Sequence, residues 1–205
     1  MKVLIINGSP RPRGNTTLAL EEAIKVFAAE GVETETVRIG SEVIRGCSAC
    51  GYCAKNGKCV FDDVVNETAP KFQECDGMIV ASPVYYASAN GALISFLDRL
   101  FFSSAFDKSM KVGMSVVVAR RGGLSATFDE LNKYFTISGM PVVSGQYWNS
   151  VHGMNPGEAK DDAEGLQGIR TLARNMTFLM KCIKLGKEKW GLPQNEPLVM
   201  TNFIR

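Results

Sequence analysis

Four cysteines fall within 13 residues, spaced Cys47-x2-Cys50-x2-Cys53-x5-Cys59, while Cys75 and Cys182 stand alone. Short spacers let consecutive thiolates turn onto one compact centre, as ligation of a [4Fe–4S] cluster requires. Gly46, Gly51 and Gly57 permit the tight turns between them. Lys55 and Lys58 offset part of the negative charge that four thiolates would gather. A structural zinc site also takes four ligands, but it usually pairs two knuckles across a longer spacer. The sole histidine, His152, is remote in the chain. The residues alone leave three states open: a cluster, a zinc ion, and unligated thiols or disulfides. Clustered cysteines suit a reducing compartment, where metal binding or redox chemistry prevails over structural bridges. Cys75 and Cys182 lie in apolar helical contexts, which predicts buried, inert thiols for both.

A second group of residues follows the apolar run 3–6: Gly8-Ser9-Pro10-Arg11-Pro12-Arg13-Gly14-Asn15-Thr16. A loop between a strand and a helix start collects unpaired backbone N–H groups and the positive end of the helix dipole, and so favours a phosphate. Ser9, Asn15 and Thr16 add side-chain donors, and Arg11 or Arg13 adds charge. A triphosphate loop would need lysine after Gly14, where Asn15 stands. Gly-x-Gly-x-x-Gly is absent as well, so the loop suits one terminal phosphate better than a pyrophosphate.

Little else could do chemistry. His152 has no local partner for a nucleophile–base system, so hydrolysis has no foothold, and a solvated or interface position is expected. Asp62-Asp63 and Asp161-Asp162 read as charge at helix N-termini rather than as acid–base pairs.

Positioning these groups falls to alternating strand and helix patterns. Residues 3–6 form an apolar run of the kind buried on both faces, and 16–30 carry a helical stripe. Residues 34–39 alternate as a second strand, and about 62–74 is helical. A third strand at 78–81 stops at Ser82-Pro83, and a helix follows over 91–102. A fourth strand spans 112–118, then Arg120-Arg121-Gly122-Gly123 breaks the pattern before a helix over about 125–137. A fifth strand is expected at 142–148, ending in Tyr147 and Trp148 on the ligand side. The stripe Leu166, Ile169, Leu172, Ala173, Met176, Leu179, Met180 and Ile183 predicts a long amphipathic helix. Five such units imply a doubly wound parallel sheet of order 2-1-3-4-5. One domain over 1–205 is expected, with the cysteine loop at about 46–60 and an unpatterned tail after about 190.

Composition bounds the function. A formal net charge of +2 gives no electrostatic case for nucleic acid or an anionic membrane surface. The N-terminal apolar run is too short for a signal peptide, and no run of eighteen apolar residues occurs. The expected compartment is the cytoplasm.

Gly-Ser-Pro-Arg followed by Gly-Asn-Thr resembles the NADPH-dependent FMN reductase branch of the flavodoxin-like superfamily. Ser82-Pro83-Val84-Tyr85-Tyr86 ahead of Phe96-Leu97-Asp98-Arg99 is a second match. The resemblance covers roughly residues 1–125 well. Position 94 is Ile where such sequences often carry Lys, so no role of that lysine carries over. Asp98 and Arg99 fit a structural ion pair or a helix-end contact.

The resemblance implies FMN, with Ser9, Arg11, Asn15 and Thr16 on its phosphate. Pro83, Val84, Tyr85 and Tyr86 would line the flavin ring, with Gly122 and Gly123 closing the other side. The cysteine loop after the second strand further resembles the iron–sulfur flavoproteins, in which four cysteines hold one [4Fe–4S] cluster. That implies Cys47, Cys50, Cys53 and Cys59 as ligands, ferredoxin as donor, and O₂, peroxide or a quinone as acceptor. It also implies a homo-dimer or homo-tetramer. Two alternatives stand beside it. One is an NAD(P)H-dependent FMN or quinone reductase without a cluster, and the other is a non-catalytic flavodoxin-type carrier.

Overall fold

The computed structural model describes residues 1–197 and 199–201. Five parallel strands form one sheet: β1 (Lys2–Asn7), β2 (Glu33–Arg38), β3 (Gly77–Pro83), β4 (Val112–Ala119) and β5 (Ser150–His152). Their order is β2-β1-β3-β4-β5, the flavodoxin-like order, with its switch point between β1 and β3. Helices cover both faces: α1 (Asn15–Ala29), α2 (Tyr52–Asn56), α3 (Val64–Glu74), α4 (Gly91–Ser103), α5 (Leu124–Ile137) and α6 (Ala163–Trp190).

The two-residue period of a strand sorts side chains between two cores. Val3 and Ile5 of β1 join Ile79, Met114 and Val116 under α1 and α6. Leu4 and Ile6 point the other way, with Met78 and Val80, onto Phe72, Phe96, Leu97 and Phe135 of α3, α4 and α5. Edge strand β2 is mostly polar, and its Glu35 is held by Lys2 at 2.7 Å and Lys71 at 2.8 Å. Charges of this kind discourage pairing with a further strand.

The fifth strand differs from expectation. Only Val142 bridges Gly113 within 142–148, and pairing with β4 resumes at Ser150–His152. Asn149 decides this: its amide donates to the Ser115 carbonyl at 2.9 Å, and its carbonyl accepts from Val117 N–H at 3.0 Å. Tyr147 and Trp148 therefore precede the strand as exposed loop residues in tilted ring contact, with centroids 5.3 Å apart. Cys182 is exposed rather than buried, because it lies off the apolar stripe of α6. Cys75 is buried as expected, and that burial pushes its thiol up to about 11. The tail after Trp190 has no regular structure where described, and Leu198 and residues 202–205 lie outside the described residues. No described helix is long and apolar enough to cross a membrane.

Candidate flavin site and cysteine pocket

The loop after β1 closes on itself before α1 begins. Asn7 Oδ1 accepts the Ser9 N–H at 2.9 Å, and the buried Ser9 hydroxyl lies 3.3 Å from Arg11 N. Gly14 N–H donates to the Arg11 carbonyl at 3.2 Å, which completes the turn. Arg11 and Arg13 project into solvent, while Thr16 is buried in the first turn of α1.

Asn15 is placed differently from a simple phosphate donor. Its Oδ1 accepts from Gly157 N–H at 2.9 Å and Ala159 N–H at 3.1 Å, and its Nδ2 donates to the Asn155 carbonyl at 3.0 Å. The side chain thus clamps the loop after β5 over the start of α1. Its backbone N–H, in the first turn, remains directed as a helix N-terminus directs it.

The loop after β3 is a two-residue hairpin. Tyr85 and Ser88 exchange both backbone hydrogen bonds, at 2.9 and 3.0 Å. Between them Tyr86 (φ +50°) and Ala87 (φ +60°) are both left-handed, as a type I′ turn demands. Neither is glycine, so each costs about 1–3 kcal/mol unless its surroundings hold it. Glu130 on α5 holds it, accepting from Ser88 Oγ at 2.9 Å and Ala89 N–H at 2.8 Å. Gly123, in the loop after β4, closes the other side: a Cβ there would lie 2.7 Å from Ala87 Cα. Tyr86 is fully exposed, Tyr85 half so, Pro83 and Val84 are partly buried, and Gly122 faces open space.

These contacts give an expected outcome. Glu130→Ala removes two charge-assisted hydrogen bonds from a strained turn. FMN titrated into the apoprotein should then show its Kd raised about tenfold, roughly 1.4 kcal/mol. Glu130→Gln, which keeps an acceptor, should lose less; equal affinities in all three proteins would show the turn is not a flavin contact.

Cys47, Cys50, Cys53 and Cys59 line one small pocket against α4, with Phe61, Arg99 and Phe102. All four are free thiols. Ala49 (φ 52°), Gly51 (φ 69°) and Gly57 (φ 66°) supply left-handed turns between them. Cys59 is braced by Asn66, which accepts its N–H and donates to its carbonyl, both at 3.0 Å. The Tyr52 N–H beside Cys50 holds that thiol below its ordinary value, with the Ser48 hydroxyl helping. Among the described residues no three His, Cys, Asp or Glu side chains converge as they would about a single metal ion. The donor set, four free thiols lining one pocket, is one that a thiolate-ligated centre would use, and in a [4Fe–4S] cluster four thiolates bind four different irons.

Arg99 ties this pocket to the fold. Its buried guanidinium pairs bidentately with Asp63, at 2.7 and 2.9 Å, and its Nε lies 3.2 Å from Cys59 Sγ. Burial alone would lower its pKa, but Asp63 and Cys59 outweigh that and raise it. Arg99 is thus a structural ion pair, with Asp63 as partner. Its neighbour Asp98 accepts from the Tyr134 hydroxyl instead. Asp63 and Asp162 cap α3 and α6, in keeping with the N-terminal roles expected for them.

His152 has a partner that sequence reasoning missed. Asp162 Oδ2 accepts its backbone N–H and stands 3.2 Å from its Nδ1. Burial pushes the Asp162 carboxyl up, yet the Gly165 and His152 hydrogen bonds prevail and hold it below its ordinary value. The caps of neighbouring helices are where such a partner could have been sought.

A sequence model of NADPH-dependent FMN reductases matches residues 1–155. The chain is 37% identical over 192 residues to an iron–sulfur flavoprotein of Methanocaldococcus jannaschii, covering 90% of this chain and 100% of that one. An iron–sulfur flavoprotein of Methanosarcina thermophila is 33% identical over 193 residues, covering 92% and 100%. Among solved structures, RosB with a bound 8-demethyl-8-formylriboflavin-5′-phosphate intermediate superposes with a TM-score of 0.72 at 18% identity, covering 100% and 92%. At that identity the likeness is one of fold. The phosphate-type loop, the flavodoxin-like strand order and these matches agree, and the chain belongs to the NADPH-dependent FMN reductase family.

Proposed function

We propose that this chain is an FMN-dependent oxidoreductase that relays electrons through a [4Fe–4S] cluster held by Cys47, Cys50, Cys53 and Cys59. The observation that carries the proposal is the placement of all four thiols in one pocket against α4, the helix that starts directly after the flavin-type hairpin. Arg99 lies eight residues into that helix, about 12 Å along its axis from Gly91. Two relatives named iron–sulfur flavoproteins match over their whole length, which supports the same reading.

In this proposal Ser9, Thr16 and the N–H groups at the start of α1 hold the FMN phosphate, and Arg11 supplies charge. Asn15 fixes the loop after β5 across the site. Pro83 to Tyr86 and the 122–123 glycines bracket the ring. Bound FMN supplies both hydride and single-electron chemistry, so the protein need provide only binding, orientation and electrostatics. A one-electron protein donor such as ferredoxin suits a cluster, and the acceptor is a small molecule such as O₂, peroxide or a quinone. Exposed Tyr147, Trp148 and Phe102 are the proposed surface of a homo-dimer or homo-tetramer, and the cytoplasm is the proposed compartment.

Anaerobic purification tests this directly. Acid release should yield FMN at about one per chain, and light scattering should report two or four chains. Reduced ferredoxin should bleach the flavin faster than NAD(P)H does. Rapid bleaching by NAD(P)H alone would instead favour a reductase without a cluster.

A further inference from the structure

We propose that Arg99 is a positioning residue that sets the reduction potential of the cluster, through the hydrogen bond from its Nε–H to the Cys59 sulfur. This rests on the cluster reading above. The guanidinium has five N–H donors, and every one is committed. Nε donates to Cys59 Sγ at 3.2 Å. Nη1 donates to Asp63 Oδ2 at 2.7 Å and the Arg45 carbonyl at 3.2 Å. Nη2 donates to Asp63 Oδ1 at 2.9 Å and the Phe61 carbonyl at 3.3 Å. The Phe61 ring adds a face 5.0 Å from the guanidinium carbon. A group held by this many contacts has one orientation, and that orientation aims Nε–H at the sulfur.

The consequence follows from charge. Reduction adds an electron to a cluster whose thiolates already carry negative charge. A donor and a fixed positive charge on one sulfur stabilise the reduced form, and hydrogen bonds to sulfur are among the determinants of cluster potential. The Arg99 side chain is wholly buried, so little solvent screens the effect. Asp63 opposes it with a carboxylate on the far side of the guanidinium. The two residues should therefore move the potential in opposite directions, whereas a merely structural role would move it one way or not at all.

The test uses the full-length anaerobic holoprotein and an EPR-monitored redox titration. Arg99→Lys keeps the charge but cannot reach all five acceptors at once, since an ammonium has three donors and no fork. Its reduced-to-oxidised ratio at a fixed potential should fall about tenfold, a negative shift of about 59 mV for one electron. Asp63→Asn keeps an N-cap side chain for α3 but removes the opposing charge, and should shift the potential positive. Shifts of the same sign in both variants, or none, overturn the inference while leaving the cluster reading intact. If Arg99→Lys assembles no cluster, Asp63→Asn decides alone: a positive shift supports, and a zero or negative shift overturns. Wild-type protein lacking iron and sulfide would overturn the cluster reading itself, and the inference with it.

Discussion

Anaerobically prepared protein is expected to contain about four irons and four sulfides per chain, and Cys59→Ala to lose them while keeping FMN. Cys59 differs from its three partners in how it is held. Its backbone is fixed by two Asn66 hydrogen bonds and its sulfur by Arg99, whereas Cys47 and Cys50 lie exposed on a turn-rich loop. In the proposed cluster, the thiol fixed most rigidly by the fold is the one on which the others would assemble. Its removal should leave no cluster or a labile three-iron form. The loss should be confined to the cluster, because the phosphate loop and the hairpin are built from residues 7–16 and 82–90. Iron, sulfide and flavin analysis of the same samples reads all three quantities. Cys182→Ala is the control: that thiol is exposed, lies outside the pocket, and should leave iron content unchanged. Zinc at one per chain would redirect the pocket to a structural metal. Full iron in Cys59→Ala would show that residue 59 is not a ligand.

The same residues show what the sequence could and could not disclose. The β1, β3 and β4 runs were readable because strands buried on both faces must be apolar throughout. The cysteine spacing suggested thiolates turning onto one compact centre; the four thiols line one pocket, though among the described residues no three metal-binding side chains converge on a point there. Arg99 was harder. Its sequence neighbour Asp98 suggested a pair, but adjacent helix residues point apart, and the true partner, Asp63, caps another helix 36 residues away. Asn15 is similar: its type and position suited a phosphate, while its side chain is used by a loop 140 residues later. The fifth strand failed for a further reason. An edge strand has only one neighbour, so a few contacts from Asn149 were enough to move the pairing beyond the stretch whose apolar pattern looked right. Local patterns report burial well; they report long-range hydrogen bonds hardly at all.

Gly40→Ala should weaken FMN binding about 100-fold, roughly 2.7 kcal/mol, without unfolding the sheet. Gly40 follows the end of β2 and lies directly on the phosphate-type loop. A Cβ there would stand 2.1 Å from the Ser9 carbonyl carbon and 2.4 Å from Gly8 O and Pro10 N. Those are backbone atoms, so no rotamer change relieves the contact, and the loop itself must move by an ångström or more. Such overpacking costs about 1–3 kcal/mol of stability. Donors aimed at a phosphate lose most of their worth when displaced that far, because the interaction depends on short, well-aligned N–H···O geometry. A control separates this from general destabilisation. Gly31 lies in the turn between α1 and β2 at the opposite end of the sheet, where an added methyl would meet nothing within 4 Å but φ is +69°. Gly31→Ala should therefore cost about 1 kcal/mol through backbone strain and leave the FMN Kd unchanged. Flavin-fluorescence titrations and thermal melts of the two variants, run side by side, supply both quantities. Unaltered FMN affinity in Gly40→Ala would place the phosphate away from the loop after β1, and the assignment of Ser9 and Thr16 would fall with it.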